Sequence, residues 1–260
     1  MYGTTEYGGL PDRGTVFKLT PDSGGGWIES LLYIFCDSGI CSDGDGPAAG
    51  VIFDQAGNLY GTTVNGGDDG CWDTCGVVFE LTPNQQGGWT ESVIHSFVGG
   101  EDGGNPYAAL TFDAAGNLYG TTMSGGPSNT CNAGCGTVFE LTPNPEGSWT
   151  EHVLRRFSGA KDGGEPYAGG TLNAAGSLFG TTYIGGNRSL CDVWSGGCGV
   201  VFALASNSKG GWHESVLQTF SDKPAALPMA ALIFDTTGNL YGTTSGDGTT
   251  TFGTVFEITP

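Results

Sequence analysis

Short runs of alternating or densely apolar residues recur along the chain, and each is closed by glycine, asparagine or proline. In one stretch they read Ala48-Ala49-Gly50-Val51-Ile52-Phe53-Asp54, Leu59-Tyr60-Gly61-Thr62-Thr63, Val77-Val78-Phe79-Glu80-Leu81-Thr82 and Trp89-Thr90-Glu91-Ser92-Val93-Ile94-His95-Ser96-Phe97. Turns are expected at Gln55-Ala56-Gly57-Asn58 and from Pro83 to Gly88. Runs of β-branched and aromatic residues between such punctuation predict strands joined by hairpins. No segment sustains a helical period.

The pattern is copied at a period of about sixty residues. Tyr-Gly-Thr-Thr starts at Tyr2, Tyr60, Tyr119 and Tyr241, with Phe-Gly-Thr-Thr at Phe179, and a glycine opens each following Val-Phe run at Gly14, Gly76, Gly136, Gly199 and Gly253. One four-stranded antiparallel unit repeated in this way predicts an all-β chain folded as a β-propeller. The expectation is a single domain over residues 1–260 with five blades, whose second strands start near residues 2, 60, 119, 179 and 241. A portion of a six- or seven-bladed ring is the alternative. Small residues at Ala48, Ala108, Ala168 and Ala230 make the first strand innermost, and the strand opening at Trp27, Trp89, Trp149 and Trp212 outermost. The first blade then lacks its innermost strand and the fifth its outermost. Tyr33, His95, Arg155 and Gln218 fall in one column of the outermost strands, which suits a solvent-facing edge. Residues constant in every copy are read as serving the fold, including Glu29, Glu91, Glu151 and Glu214.

Thr20-Pro21-Asp22-Ser23-Gly24-Gly25-Gly26-Trp27 resembles the Asp-box hairpin of sialidase-type propellers. Later copies depart from it, with Asn84, Asn144 and Asn207 at the Asp position. In that family the box is a folding element between the third and fourth strands. The units Asp113-Ala114-Ala115-Gly116-Asn117-Leu118-Tyr119-Gly120-Thr121-Thr122 and Gly136-Thr137-Val138-Phe139-Glu140-Leu141-Thr142-Pro143 resemble the bacterial tandem-repeat family called GloVer, described also as choice-of-anchor tandem-repeat proteins. That resemblance extends over the chain and implies a secreted or surface-anchored protein. It carries over no catalytic residue.

Charge narrows the partners. Eight Lys and Arg against 27 Asp and Glu give a net charge of -19, which argues against nucleic acid. No apolar stretch reaches the roughly 18 residues of a membrane helix. The eight cysteines form close pairs, Cys36/Cys41, Cys71/Cys75, Cys131/Cys135 and Cys191/Cys198, expected as local disulfides made in an oxidising compartment. Zinc is the rival reading of Cys-x3-Cys, but the pairs lie in different repeats and no histidine accompanies them. The chain opens inside a repeat with no secretory leader before Tyr2, which reads as a mature or trimmed portion of something longer.

Candidate chemistry gathers on one propeller face, where strand two–three loops and inter-blade loops meet. Trp72, Trp194, Tyr183 and Asp192 come from the former, and Asp45, Asp102, Asp162 and Asp222 from the latter. Rings held in cross-linked loops offer platforms for a sugar face, or simply cover their disulfides. The aspartates read as turn formers, or as an axial ring holding Ca2+ or a polyol. No dedicated cofactor is indicated. His95, His152 and His213 lie in different columns and read as surface residues. The leading expectation is a secreted or cell-surface propeller binding an extracellular glycan or other cell-surface polymer, with Trp72, Trp194, Tyr183, Asp102, Asp162 and Asp192 as ligand contacts. A glycoside hydrolase or polysaccharide lyase using Asp45, Asp102 and Asp162 at the axis is one alternative. A structural or adhesive module without a small-ligand site is the other.

Overall fold

The computed structural model describes residues 1–67, 75–126, 130–187, 189, 191, 196–207, 210–221, 225–246 and 252–259. Their strands form five antiparallel sheets arranged as a five-bladed β-propeller. Blade one holds β1 (Tyr2–Thr5), β2 (Thr15–Pro21) and β3 (Trp27–Ile34). Blade two holds β4 (Ile52–Phe53), β5 (Leu59–Thr63), β6 (Val77–Pro83) and β7 (Trp89–Ser96). Blade three repeats this with β8 (Thr111–Phe112), β9 (Leu118–Thr122), β10 (Thr137–Pro143) and β11 (Trp149–Arg156). Blade four does so with β12 (Thr171–Leu172), β13 (Leu178–Thr182), β14 (Val200–Ser206) and β15 (Trp212–Thr219). In blade five, β16 (Ala226–Pro228) and β17 (Ile233–Phe234) pair with β18 (Leu240–Gly246), which pairs with β19 (Thr254–Ile258).

The constant residues interlock successive blades. The phenylalanine closing each outermost strand meets the central phenylalanine of the next blade edge to face: Phe35 with Phe79 at 5.0 Å, Phe97 with Phe139 at 5.1 Å, Phe157 with Phe202 at 5.2 Å and Phe220 with Phe256 at 5.0 Å. The glycine of the repeated motif makes room for that second ring, since a Cβ on Gly120 would lie 2.4 Å from the Phe139 ring. Thr62, Thr121 and Thr181 donate side-chain hydrogen bonds to the carbonyls of Ala108, Ala168 and Ala230 in the following blade, as Thr4 does to Ala49. At Gly136, φ is +92° and an added Cβ would meet Thr122 O at 2.4 Å and Pro166 of the next blade at 2.6 Å. Repetition therefore records the packing of blade on blade.

The expected first strand is shorter than its sequence run. Over 48–54 only Ile52–Phe53 pair as a strand, preceded by an isolated bridge between Asp45 and Asn65. Pro47 has no N–H to donate, and Ala49 O is taken by Thr4 of the preceding blade.

Four blade interfaces are sealed, and the surfaces flanking the seam between blades five and one stay open. Val16, Val78, Val138 and Val201 are all 0% exposed, whereas Val255 in the same column is 78% exposed. Phe252 is 74% exposed and Trp27 56%. Glu29 and Thr243 are exposed where their counterparts are covered. Among the described residues no tryptophan of a fourth strand packs against blade four. Trp149 and Trp212 pack on Tyr60 and Tyr119 of the preceding blades, at 6.0 and 6.2 Å between ring centres. The corresponding space beside Phe179 and Phe234 is a cavity of about 900 Å3, lined also by Leu172, Leu240 and Ile258.

Candidate functional site

Two groups of side chains stand apart from this scaffold. The first lies at the centre of the ring. Tyr107 and Tyr167 follow Pro106 and Pro166 at the entrance to the innermost strands of blades three and four. Their ring centres are 5.4 Å apart, and Tyr183 meets Tyr167 at 5.3 Å. Burial, then Glu6 and Tyr7 of blade one, raise the Tyr107 phenol pKa. Blades one and three are not adjacent, so this interaction spans the centre. Tyr7 is 68% exposed, and the other three rings are half-buried. Burial raises the Glu165 carboxyl pKa, and burial with nearby Glu165 and the two neighbouring phenols raises that of Tyr167.

The backbone holding this cluster is locally strained. Asn105, Glu165 and Leu227 have φ of 54°, 52° and 60°, at the position that Gly46 fills with 70°. A left-handed conformation disfavours side chains other than glycine and asparagine. Their N–H groups donate to the carbonyls of Cys75, Cys135 and Cys198, which ties each entrance to the preceding blade's cysteine-bearing loop. Disulfides join Cys36 to Cys41, Cys131 to Cys135 and Cys191 to Cys198. Cys75 is also disulfide-bonded, while Cys71 lies outside the described residues. Asn105 is further fixed by Nδ2 donating to Val64 O at 3.0 Å and by Ser124 Oγ donating to its Oδ1 at 2.8 Å.

The expected site residues separate. Tyr183 joins the central cluster, whereas Trp72, Trp194, Asp192 and Asp222 lie outside the described residues. Asp45, Asp102 and Asp162 are not gathered into one three-residue cluster, and each stands beside a different partner, Arg13, His95 and Arg155. Asp45 binds Arg13 at 2.6 Å. Asp102 and Asp162 accept hydrogen bonds from Val98 N and Ser158 N, directly after the outermost strands. An inter-blade loop crosses the whole radius of a propeller, and these residues stand at its outer end.

That outer end forms the second group. A column residue of one outermost strand, an inter-blade aspartate and a glutamate of the next outermost strand meet at each of three junctions. Between blades one and two, Tyr33 Oη donates to Asp43 Oδ2 at 2.9 Å, and burial plus Asp43 push the Glu91 pKa up to about 7. A cavity of about 590 Å3 opens there, lined by Asp43, Glu91 and His95. Between blades two and three, His95 Nε2 lies 3.5 Å from Asp102 Oδ1, with Glu151 beside them. Burial, then the Asp102 carboxylate, raise the Glu151 pKa. Burial opposes ionisation of Asp102, but nearby His95 and the Val98 N–H outweigh it and leave the pKa lowered. Between blades three and four, Arg155 Nη2 lies 2.7 Å from both Asp162 Oδ2 and Glu214 Oε2. Burial nevertheless raises Glu214 to about 7, with Arg155 lowering it and Asp162 raising it.

The column of Tyr33, His95, Arg155 and Gln218 is thus correct in register; Gln218 is exposed as expected, whereas the first three are half-buried at the junctions. His95 departs from the surface reading, while His152 and His213 are exposed. Asp43, rather than Asp45, is the equivalent of Asp102 and Asp162. Longer spacing hides this, because the first loop runs from Phe35 to Asp43 and the second only from Phe97 to Asp102.

Fold and site together define a disulfide-stapled five-bladed propeller with an aromatic centre and carboxylate junctions at its rim. The family profile described as the Gloeobacter/Verrucomicrobia repeat matches residues 1–194 and 73–260, and the chain belongs to that family. No curated protein matches. Among solved structures, a gluconolactonase from Xanthomonas campestris is 15% identical with a TM-score of 0.48, over 90% of this chain and 66% of its own length. A Trypanosoma rangeli sialidase is 11% identical with a TM-score of 0.49, over 99% of this chain and 41% of its own. The chain therefore spans less than two thirds of either protein.

Proposed function

We propose that this protein is a secreted or cell-surface propeller that binds an extracellular carbohydrate at the central mouth of its loop face. The observation carrying this reading is the half-buried cluster in which Tyr167 meets both Tyr107 and Tyr183, with Glu165 beside it. Tyrosine combines an apolar ring face with a hydrogen-bonding edge, and few torsions are lost when such a ring is immobilised. Glu165 and the phenols supply the polar contacts that a polyol requires. The disulfides support an oxidising compartment. Among the described residues no helix is long and apolar enough to cross a membrane.

A glycan array probed with the full chain tests this directly, followed by calorimetry on any hit. Tyr107→Ala and Tyr183→Ala should each weaken binding at least tenfold, about 1.4 kcal/mol, and Trp194→Ala tests the neighbouring loop. A folded protein that binds no glycan, or binding indifferent to both tyrosine variants, would overturn the proposal.

A further inference from the structure

Each of the three rim junctions encloses two carboxyl groups, and at only one of the three is the pair bridged by a fixed cation. Between blades three and four Arg155 supplies it, bridging Asp162 and Glu214 at 2.7 Å on each side. The same column position between blades two and three carries His95. Its Nε2 and Glu151 Oε1 are both shut off from solvent and have no hydrogen-bond partner. The 3.5 Å to Asp102 is longer than a normal hydrogen bond. Among the described residues no cation bridges these two carboxyl groups as Arg155 bridges the next pair, and Arg156 acts on Glu151 only through its nearby charge.

We propose that this junction binds a divalent transition-metal ion through His95 Nε2, a carboxylate oxygen of Asp102 and a carboxylate oxygen of Glu151. One ligand atom from each of the three residues falls within 4.8 Å of the others. Ligands bound at about 2.0–2.2 Å in tetrahedral geometry stand roughly 3.4 Å apart, so small side-chain adjustments close the set. One imidazole and two carboxylates suit Zn2+ and its neighbours, whereas Ca2+ calls for six or more oxygens. Asp102 is already oriented by Val98 N–H, which donates to its Oδ2 at 2.7 Å. The ligands come from β7, the inter-blade loop and β11, so the ion would clamp blade two to blade three. Arg155 does the corresponding work one junction on.

The neighbouring junction supplies the test. The full chain, treated with chelator and dialysed, is titrated with Zn2+ by calorimetry, and bound metal is counted by elemental analysis. The expected result is one Zn2+ per chain with a rise in melting temperature. His95→Gln should weaken binding at least about tenfold, and exposed His152→Gln should leave it unchanged. His95→Arg, which copies the arrangement at Arg155, should fold by circular dichroism yet take up no metal. Arg155→His should raise the stoichiometry from one to two. No Zn2+ uptake by the folded chain, preference for Ca2+, or uptake unchanged in both His95 variants would overturn the proposal.

Discussion

Val138 and Val255 occupy the same column of the third strand in two blades, and replacing each by alanine should have sharply different effects. Val138 is sealed at 0% exposure among Phe157, Leu178, Phe202 and Leu204. Val255 is 78% exposed on the face of blade five that no following blade covers. Removing two buried carbon groups forfeits about 1.5 kcal/mol of transfer energy, and an unrelaxed cavity brings the loss to about 2–3 kcal/mol. At Val255 the loss should stay within about 0.5 kcal/mol, typical of an exposed position. For a chain of this size the first corresponds to roughly 5–10 °C in Tm and the second to about a degree. Thr121→Val and Thr243→Val form a matched pair on the same faces. The first leaves Ala168 O without its 3.0 Å donor, costing about 1–3 kcal/mol, and the second should be near neutral. Thermal melts and urea titrations followed by far-UV circular dichroism measure all four. Equal losses at Val138 and Val255 would mean that the face of blade five is covered in solution and that the seam is closed.

Two further outcomes follow from the junctions and the strand pairs. Burial raises the Glu91 and Glu214 pKa values from 4.5 to about 7, so the folded state holds protons that the unfolded state releases. Their contribution is fully present below about pH 4.5 and is lost as pH rises through about 7; Glu91→Gln should flatten the Tm-against-pH curve across that window, and an unchanged slope would refute the assignment. Tyr119 Oη donates to Glu140 Oε1 at 2.7 Å, as Tyr60 does to Glu80, whereas blade four pairs Phe179 with Ala203. In a double-mutant cycle Tyr119→Phe and Glu140→Ala should together destabilise less than the sum of the two single changes, by about 0.5–1.5 kcal/mol; strict additivity would show that the bond adds no stability.

Much of the fold could be read from the chain because it is written in local patterns. Leu59–Thr63 is the expected second strand to the residue, and the third and fourth strands of that blade differ from expectation by a residue or so at their ends. The innermost strand was overestimated, because whether Ala49 O pairs within its sheet or with Thr4 depends on the adjacent blade. The site was less legible. Tyr183 is found through its loop, but nothing in the local pattern singles out Tyr107 and Tyr167, and only a ring brings blade one's Glu6 near Tyr107. Asp43 was passed over for Asp45 because the first inter-blade loop is longer.

The repeated line of Tyr-Gly-Thr-Thr and Val-Phe determined the blade, since hairpin turns, strand alternation and the glycine beneath each phenylalanine ring are short-range requirements. Tertiary structure decided which blade faces meet and which stay open. It also decided that the column of Tyr33, His95 and Arg155 turns toward the next blade's glutamate, and which residues reach the centre. Those outcomes depend on contacts between residues some forty to sixty positions apart, or on opposite sides of the ring, and no local periodicity encodes them.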